Sequence, residues 1–345
     1  MDRKVLVIKR LKGCGRMKRD VSIGIDIGGT KIVAGLVTVE GEVLYKQIVP
    51  TATEGKEQII FQLQQMINDL LKEAHKLRLP TLKGIGIGTA GQIDFKNGIV
   101  RSGTSNIKDW NDIPLKHEIQ RLFGFPTWID NDVNVVALAE SYLGAAKGYN
   151  NVVFLTLGTG IGGAVIQEGK LLHGEWGGAA ELGHMSVDRN GPACNCGYKG
   201  CLEAYASGTG IANQMKRMLR KNPELYDGQI ENITARDVFQ WASEGKQFAK
   251  SLLDKAIDAL AYGTVNIIHA FNPSLLVIGG GIIDQHSWII TDLQNRVRSL
   301  GISSLVQSVS FKKAAFGDEA GVIGAAYQSF LYSQNVQKEG ASNEG

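Results

Sequence analysis

His184, Cys194, Cys196 and Cys201 carry the strongest local chemical signal in this 345-residue chain. Their spacing is His-x9-Cys-x-Cys-x4-Cys, and Gly197 and Gly200 permit a tight knuckle between them. Three thiolates and one imidazole fill a tetrahedral Zn²⁺ shell and leave no open position, so the expected metal is structural. Buried, reduced cysteines are the plainer alternative, and the spacing weighs against them. Glu181 stands three residues before His184 and can share a helical face with it. His184 can bind metal through one ring nitrogen and donate to a ligand through the other. Glu203, two residues after Cys201, is fixed by the same knuckle.

A second constellation is Asp130-Asn131-Asp132, which follows a short apolar strand and opens a helix. An aspartate in that position is commonly an N-cap, worth about 1 kcal/mol. Here two carboxylates flank an amide. One of them can take a proton from a hydroxyl nucleophile while the amide orients a sugar.

Glycine-rich turns supply the third signal. Asp26-Ile27-Gly28-Gly29-Thr30-Lys31 ends one buried strand, Leu157-Gly158-Thr159-Gly160-Ile161-Gly162-Gly163 a second, and Gly279-Gly280-Gly281 a third. Glycines let backbone N–H groups approach phosphate oxygens, and a strand-end carboxylate such as Asp26 can organise hydrated Mg²⁺. The first turn is not a Walker A loop. The second lacks the helix that a dinucleotide fingerprint requires, since a hairpin follows it. Two packing turns are the alternative. Taken jointly, the pair points instead to a phosphate chain held from both sides.

The elements that must position these residues are legible from their periodicity. Val21–Asp26 reads as a buried strand, followed by paired strands Ile32–Val39 and Glu42–Val49. Apolar residues from Ile59 to Leu77 recur at helical spacing, so Gly55–Leu79 is expected to be a helix that Pro80 ends. Strands are expected at Leu82–Gly88 and Thr127–Ile129, and helices at Pro114–Phe123 and Asn134–Leu143. The pattern of strand, glycine turn and hairpin then restarts at Val152–Leu157, with strands at Ala164–Ile166 and Lys170–His173. This repetition reads as an internal duplication. A Gly-poor helical stretch covers about Ala206–Phe271, the strand Leu275–Ile278 follows, and helices are expected near Ser287–Leu300 and Glu319–Leu331. Alternating strands and helices give an α/β class with ligands at the carboxyl ends of strands.

Composition bounds the function. Hydrophobic residues make up 43% and charged residues 21%, which excludes a mainly disordered chain. The 43 glycines without a Gly-X-Y period, and only 7 prolines, exclude collagen. A net charge of +3 is too balanced for a nucleic-acid coat. No apolar run is long enough to span a bilayer. Residues 1–20 are strongly basic and read as a solvated tail, with Met17 a possible biological start. One isolated cysteine, Cys14, beside the cluster of three is poor disulfide arithmetic, so a reducing, cytoplasmic compartment is expected.

The five motifs Asp26–Lys31, Ile129–Asp132, Leu157–Gly163, Glu181–His184 and Cys194–Glu203, in this order, resemble the ROK family of repressors and sugar kinases. The similarity covers about Val21 to Phe330. It implies an actin-like, ribonuclease-H-like ATPase fold with duplicated α/β domains and an interdomain cleft. The implied small domain is 21–133 plus about 318–332, the large domain with the zinc knuckle is 134–317, and 333–345 is a polar tail. The resemblance further implies ATP-dependent phosphorylation of a hexose at the 6-hydroxyl, an entry step of glycolysis, by a homodimer or homotetramer. Carried over by motif, Asp132 is the general base. Gly91, Thr104, Asn106, Asn131, Asp132, Glu181, His184 and Glu203 contact the sugar. Asp26, Gly28, Gly29, Thr30, Lys31, Gly158, Thr159, Gly160, Gly162, Gly279, Gly280 and Gly281 contact ATP and its Mg²⁺. His184, Cys194, Cys196 and Cys201 hold zinc.

This chain reads Ala90-Gly91 where glucokinase-type members usually read Pro-Gly. Asn106 fits the glucokinase pattern, whereas Gly91 and Thr104 also match the N-acetylmannosamine kinase half of a bifunctional epimerase/kinase. Glucose is the expected substrate, with N-acetylmannosamine or N-acetylglucosamine as alternatives. A sugar-sensing repressor is a rival, disfavoured because only about 20 residues precede the first strand. A catalytically idle sugar-binding scaffold is another, disfavoured by the intact Asp132 and both turns. No nucleic-acid or membrane partner is expected.

Overall fold

The computed structural model describes residues 8–9, 20–80, 82–103 and 107–342, with the backbone alone at 8–9 and 334–342. Its strands and helices, in chain order, begin with β1 (Ile8–Lys9), β2 (Val21–Ile27), β3 (Lys31–Thr38), β4 (Val43–Pro50) and α1 (Lys56–Lys76). Next come β5 (Ile85–Thr89), β6 (Gln92–Asp94), β7 (Ile99–Ser102), α2 (Leu115–Phe123), β8 (Thr127–Asn131) and α3 (Asp132–Tyr142). The pattern restarts with β9 (Val152–Leu157), β10 (Ile161–Gln167) and β11 (Lys170–Leu171). Helices α4 (Leu202–Ala206), α5 (Gly208–Lys221), α6 (Ala235–Ser243) and α7 (Gln247–Phe271) follow. The chain closes with β12 (Leu275–Gly279), α8 (Gly281–Gln285), α9 (Trp288–Arg298), α10 (Ser303–Val306), β13 (Ser310–Lys313) and α11 (Ala320–Ser342). The class is α/β, as expected.

Two compact units divide the chain. The first comprises Met1–Gly148, Leu171–Ala179 and Asp318–Gly345, and the second comprises Tyr149–Lys170 and Ala180–Gly317. The expected boundary at 133 falls just inside α3. That helix stays with the first unit because it packs against α11 and β5.

In the first unit the sheet order is β1-β4-β3-β2-β5-β8, with β2, β5 and β8 parallel and β3 and β4 antiparallel. β2 reads Val-Ser-Ile-Gly-Ile-Asp-Ile and is buried on both faces. Ile23, Ile25 and Ile27 belong to the core that also takes Ile59, Leu63, Ile67 and Leu70 of α1. The opposite face is cleared by glycine. A Cβ on Gly24 would stand 2.0 Å from the Val322 carbonyl oxygen, and one on Gly86 of β5 1.7 Å from that of Ala325. The backbone of α11 therefore lies directly on the sheet. α11 also runs to Ser342, so most of the expected polar tail is helical. With Val336 and Ala341 its only apolar residues, the tail has no helical periodicity to signal that continuation.

The second unit repeats the plan. Its sheet order is β11-β10-β9-β12-β13, again with a hairpin beside parallel strands. The Gly-poor stretch resolves into α4–α7. Asn222-Pro223 interrupts it, and a capping box of Thr234 and Asp237 restarts it at α6. The short strands β6, β7 and β13 were not read from the sequence. Most of the basic run 1–20, including Cys14 and Met17, lies outside the described residues. Ile8–Lys9 within it pairs with Lys46 and Tyr45. Among the described residues no helix is long and apolar enough to cross a membrane.

Candidate active site and metal centre

In the first unit the predicted residues gather at the carboxyl ends of three parallel strands. Register aligns Ile27 of β2 with Thr89 of β5, and Thr89 with Asn131 of β8. Asp26 is the residue before Ile27, and Asp132 is the first residue of α3. Gly28–Thr30 forms a tight hairpin turn in which the Gly28 N–H donates to the Lys31 carbonyl at 3.0 Å. The Thr51 hydroxyl braces the turn by donating to the Gly28 carbonyl at 2.7 Å. Lys31 is exposed and stands 3.8 Å from Asp318.

The Asp130–Asn134 segment is densely hydrogen-bonded. Asn131 is the N-cap of α3, its Oδ1 accepting from the amides of Val133 at 2.8 Å and Asn134 at 3.3 Å. Its Nδ2 donates to the Gly91 carbonyl at 2.9 Å, which joins two predicted sugar contacts directly. Asp130, fully buried, accepts from the Asn131 amide and from Asn134 Nδ2, each at 2.8 Å. Its other oxygen stands 2.7 Å from His173 Nε2. Sequence reasoning missed His173, because a lone histidine after a two-residue strand carries no spacing signal. Thr104 and Asn106 lie outside the described residues.

Asp26 and Asp132 influence one another. Burial, and next the Asp132 charge, push the Asp26 carboxyl up to about 7, with Lys31 acting in the opposite sense. A buried carboxylate held this way suits a hydrated divalent cation that offsets its charge.

In the second unit, Gly158–Gly160 turns between β9 and β10, and Gly279–Gly281 ends the neighbouring parallel strand β12. Gly279 pairs in register with Thr156 of the parallel strand β9, so both glycine turns lie at the same carboxyl end of the sheet. The start of α5 is tied to the first of them, with Gly208 N–H donating to the Gly158 carbonyl at 2.8 Å. Glu203 accepts from the Ile161 amide at 2.9 Å, placing its carboxylate beside Gly160 and near Gly162. Glu181 caps the 3₁₀ turn Leu182–His184 and is exposed.

The four metal-ligand candidates meet. Their ligating atoms all lie within 4.8 Å of one another. Cys194 Sγ is 3.6 Å from His184 Nδ1, and Cys196 Sγ is 3.6 Å from Cys201 Sγ. Ligands at tetrahedral zinc distances stand about 3.5–3.8 Å apart, so the donor set fits that ion. Burial, and after it the Cys196 and Cys194 sulfurs, push the Cys201 thiol up to about 12. A cation is what allows three thiolates to coexist there. A separate cavity of about 660 Å³ in the second unit, bordered by Phe239, His286 and Trp288, contains none of these residues.

Comparison with known proteins adds an independent line. A model of the ROK family matches residues 22–329. The chain is 39% identical over 313 residues to a glucokinase of Thermotoga maritima, covering 88% of this chain and 95% of that one. It superimposes on a ROK hexokinase of Thermus thermophilus with a TM-score of 0.77 at 31% identity, covering 91% and 99% of the two chains. A ROK family glucokinase of Streptomyces griseus, solved with glucose and AMPPNP, gives a TM-score of 0.74 at 32% identity over 89% and 98%.

Proposed function

The chain belongs to the ROK family, and from that premise we propose that it is an ATP-dependent hexose kinase that phosphorylates glucose at the 6-hydroxyl. Its fold is that of the actin-like ATPases, shared with the ROK sugar kinases it superimposes on. The observation that carries the reading is the gathering of Asp26, Asn131 and Asp132 at the carboxyl ends of β2 and β8, on either side of β5, where the Asp132 charge acts on Asp26 and the Asn131 side-chain amide is bonded to Gly91.

Asp132 accepts the 6-hydroxyl proton as the sugar oxygen bonds to the γ-phosphorus. The bond from that phosphorus to the β–γ bridging oxygen breaks, and ADP leaves. Asn131, Gly91, Glu181, His184 and Glu203 orient the sugar hydroxyls, with His184 using Nε2, since Nδ1 faces the cysteine sulfur. Thr104 and Asn106 join this set by motif. The glycine turns at 28–30, 158–160 and 279–281 contact the nucleotide phosphates, with Lys31 and Gly162 beside them. Asp26 would hold Mg²⁺ through water, and the ion would neutralise phosphate charge. His184, Cys194, Cys196 and Cys201 would hold Zn²⁺, which would cross-link the loop that carries Glu181 to Glu203.

A coupled ADP-release assay over glucose, mannose, fructose, N-acetylglucosamine and N-acetylmannosamine tests the reading. Glucose is expected to give the highest kcat/KM. A higher value for an N-acetylated hexosamine would reassign the substrate, and no ADP with any sugar would refute the kinase.

A further inference from the structure

We infer that His173 is a positioning residue for phosphoryl transfer, acting through Asp130 to hold the turn that carries Asn131 and Asp132. The inference rests on the kinase reading above. The 2.7 Å contact pairs His173 Nε2 with Asp130 Oδ2, an imidazole N–H donating to a carboxylate oxygen. The remaining acceptor contacts of Asp130 go to the Asn131 amide and to Asn134 Nδ2. Among the described residues, the imidazole is the one ring donor to this fully buried carboxylate. Removing one partner leaves a buried acceptor unsatisfied, which is costly and favours rearrangement of the turn that holds it.

His173 is itself locked. Its ring stacks on Phe95, with centroids 3.9 Å apart and planes 15° from parallel. The Phe95 amide donates to the Trp176 carbonyl at 2.8 Å. Gly177 has φ +135°, and a Cβ there would stand 1.9 Å from the Ile93 carbonyl oxygen, so the two backbones touch. Segments 91–95, 130–134 and 173–177 therefore close around one imidazole. Two of them carry Gly91, Asn131 and Asp132. An error of about 1 Å in such groups can cost a hundredfold in rate.

The test compares His173→Ala, His173→Gln and His173→Leu in steady-state kinetics with glucose and ATP. The alanine variant is expected to lose about tenfold or more in kcat while the KM for ATP stays within about twofold. Glutamine keeps an N–H donor for Asp130 and is expected to restore kcat to within about threefold of wild type. Leucine keeps bulk against Phe95 without a donor, and is expected to resemble alanine. A kcat for His173→Ala within about twofold of wild type overturns the inference. So does a glutamine variant no faster than the leucine one, a comparison that decides even if the alanine variant fails to fold. An active wild type with unaffected variants overturns this inference alone, whereas a wild type inactive on every hexose overturns the kinase reading and this inference with it.

Discussion

The Asp26 carboxyl is pushed up to about 7 by burial and by the neighbouring Asp132 charge, from an ordinary 3.8. Between those values the folded protein binds the extra proton, so Asp26 lowers stability as pH rises from about 4 to about 7 in the absence of cation. The melting temperature of Asp26→Asn is therefore expected to gain on wild type across that window, measured without nucleotide or Mg²⁺. A gap that stays constant from pH 4 to 8 would contradict the assignment. Asp132→Asn keeps the shape and removes the base. It is expected to cost roughly a hundredfold or more in kcat, while glucose affinity by isothermal titration changes by less than about threefold. Substantial turnover in that variant would sink the assignment. The sequence exposed Asn131 and Asp132 because they sit together after a strand. His173 stayed hidden because its partner is distant in the chain and a hydrogen bond leaves no periodicity.

The knuckle from His184 to Cys201 shows what a short segment can encode. Its donors converge because the spacing permits a small set of turns, and the Cys194 amide closes one of them on the Tyr198 carbonyl at 2.9 Å. Cys201 then opens α4, which carries Glu203 to the Ile161 amide. Metal analysis of purified protein is expected to find about one zinc per chain. Cys194→Ser should lose that zinc, melt at lower temperature and raise the KM for glucose; metal-free protein with full activity would refute the link. The strands β2, β5, β9 and β12 were readable because their apolar runs end in glycine or small residues. β13 reads Ser-Phe-Lys-Lys, is largely exposed at a sheet edge, and owes its conformation to pairing with Leu275–Ile278. Nothing in those four residues announces a strand.

Each unit is assembled from separate stretches of chain, three in the first and two in the second. The final helix completes the first unit, where Gln328 Nε2 donates to the Ile87 carbonyl at 3.1 Å and Val322, Ile323 and Ala326 are buried. Gly86→Ala would press a methyl group against the Ala325 carbonyl, with a Cβ only 1.7 Å from its oxygen. A loss of about 3 kcal/mol in urea unfolding is expected. A variant as stable as wild type would mean that the helix stands further off the sheet. The sheet orders of the two units support the duplication read from the repeated strand, glycine turn and hairpin. The sequence by itself determined the strand-end glycine turns and the zinc-type donor set, because spacing within some twenty residues specifies them, and the α/β class and the family resemblance, because strand–helix alternation and the order of five motifs run along the chain. Tertiary structure alone decided that α11 lies on Gly24 and Gly86, that Glu203 reaches Ile161, and that His173 closes on Asp130. Those meetings depend on strand order and on where the chain returns, and neither is written in any local pattern of residues.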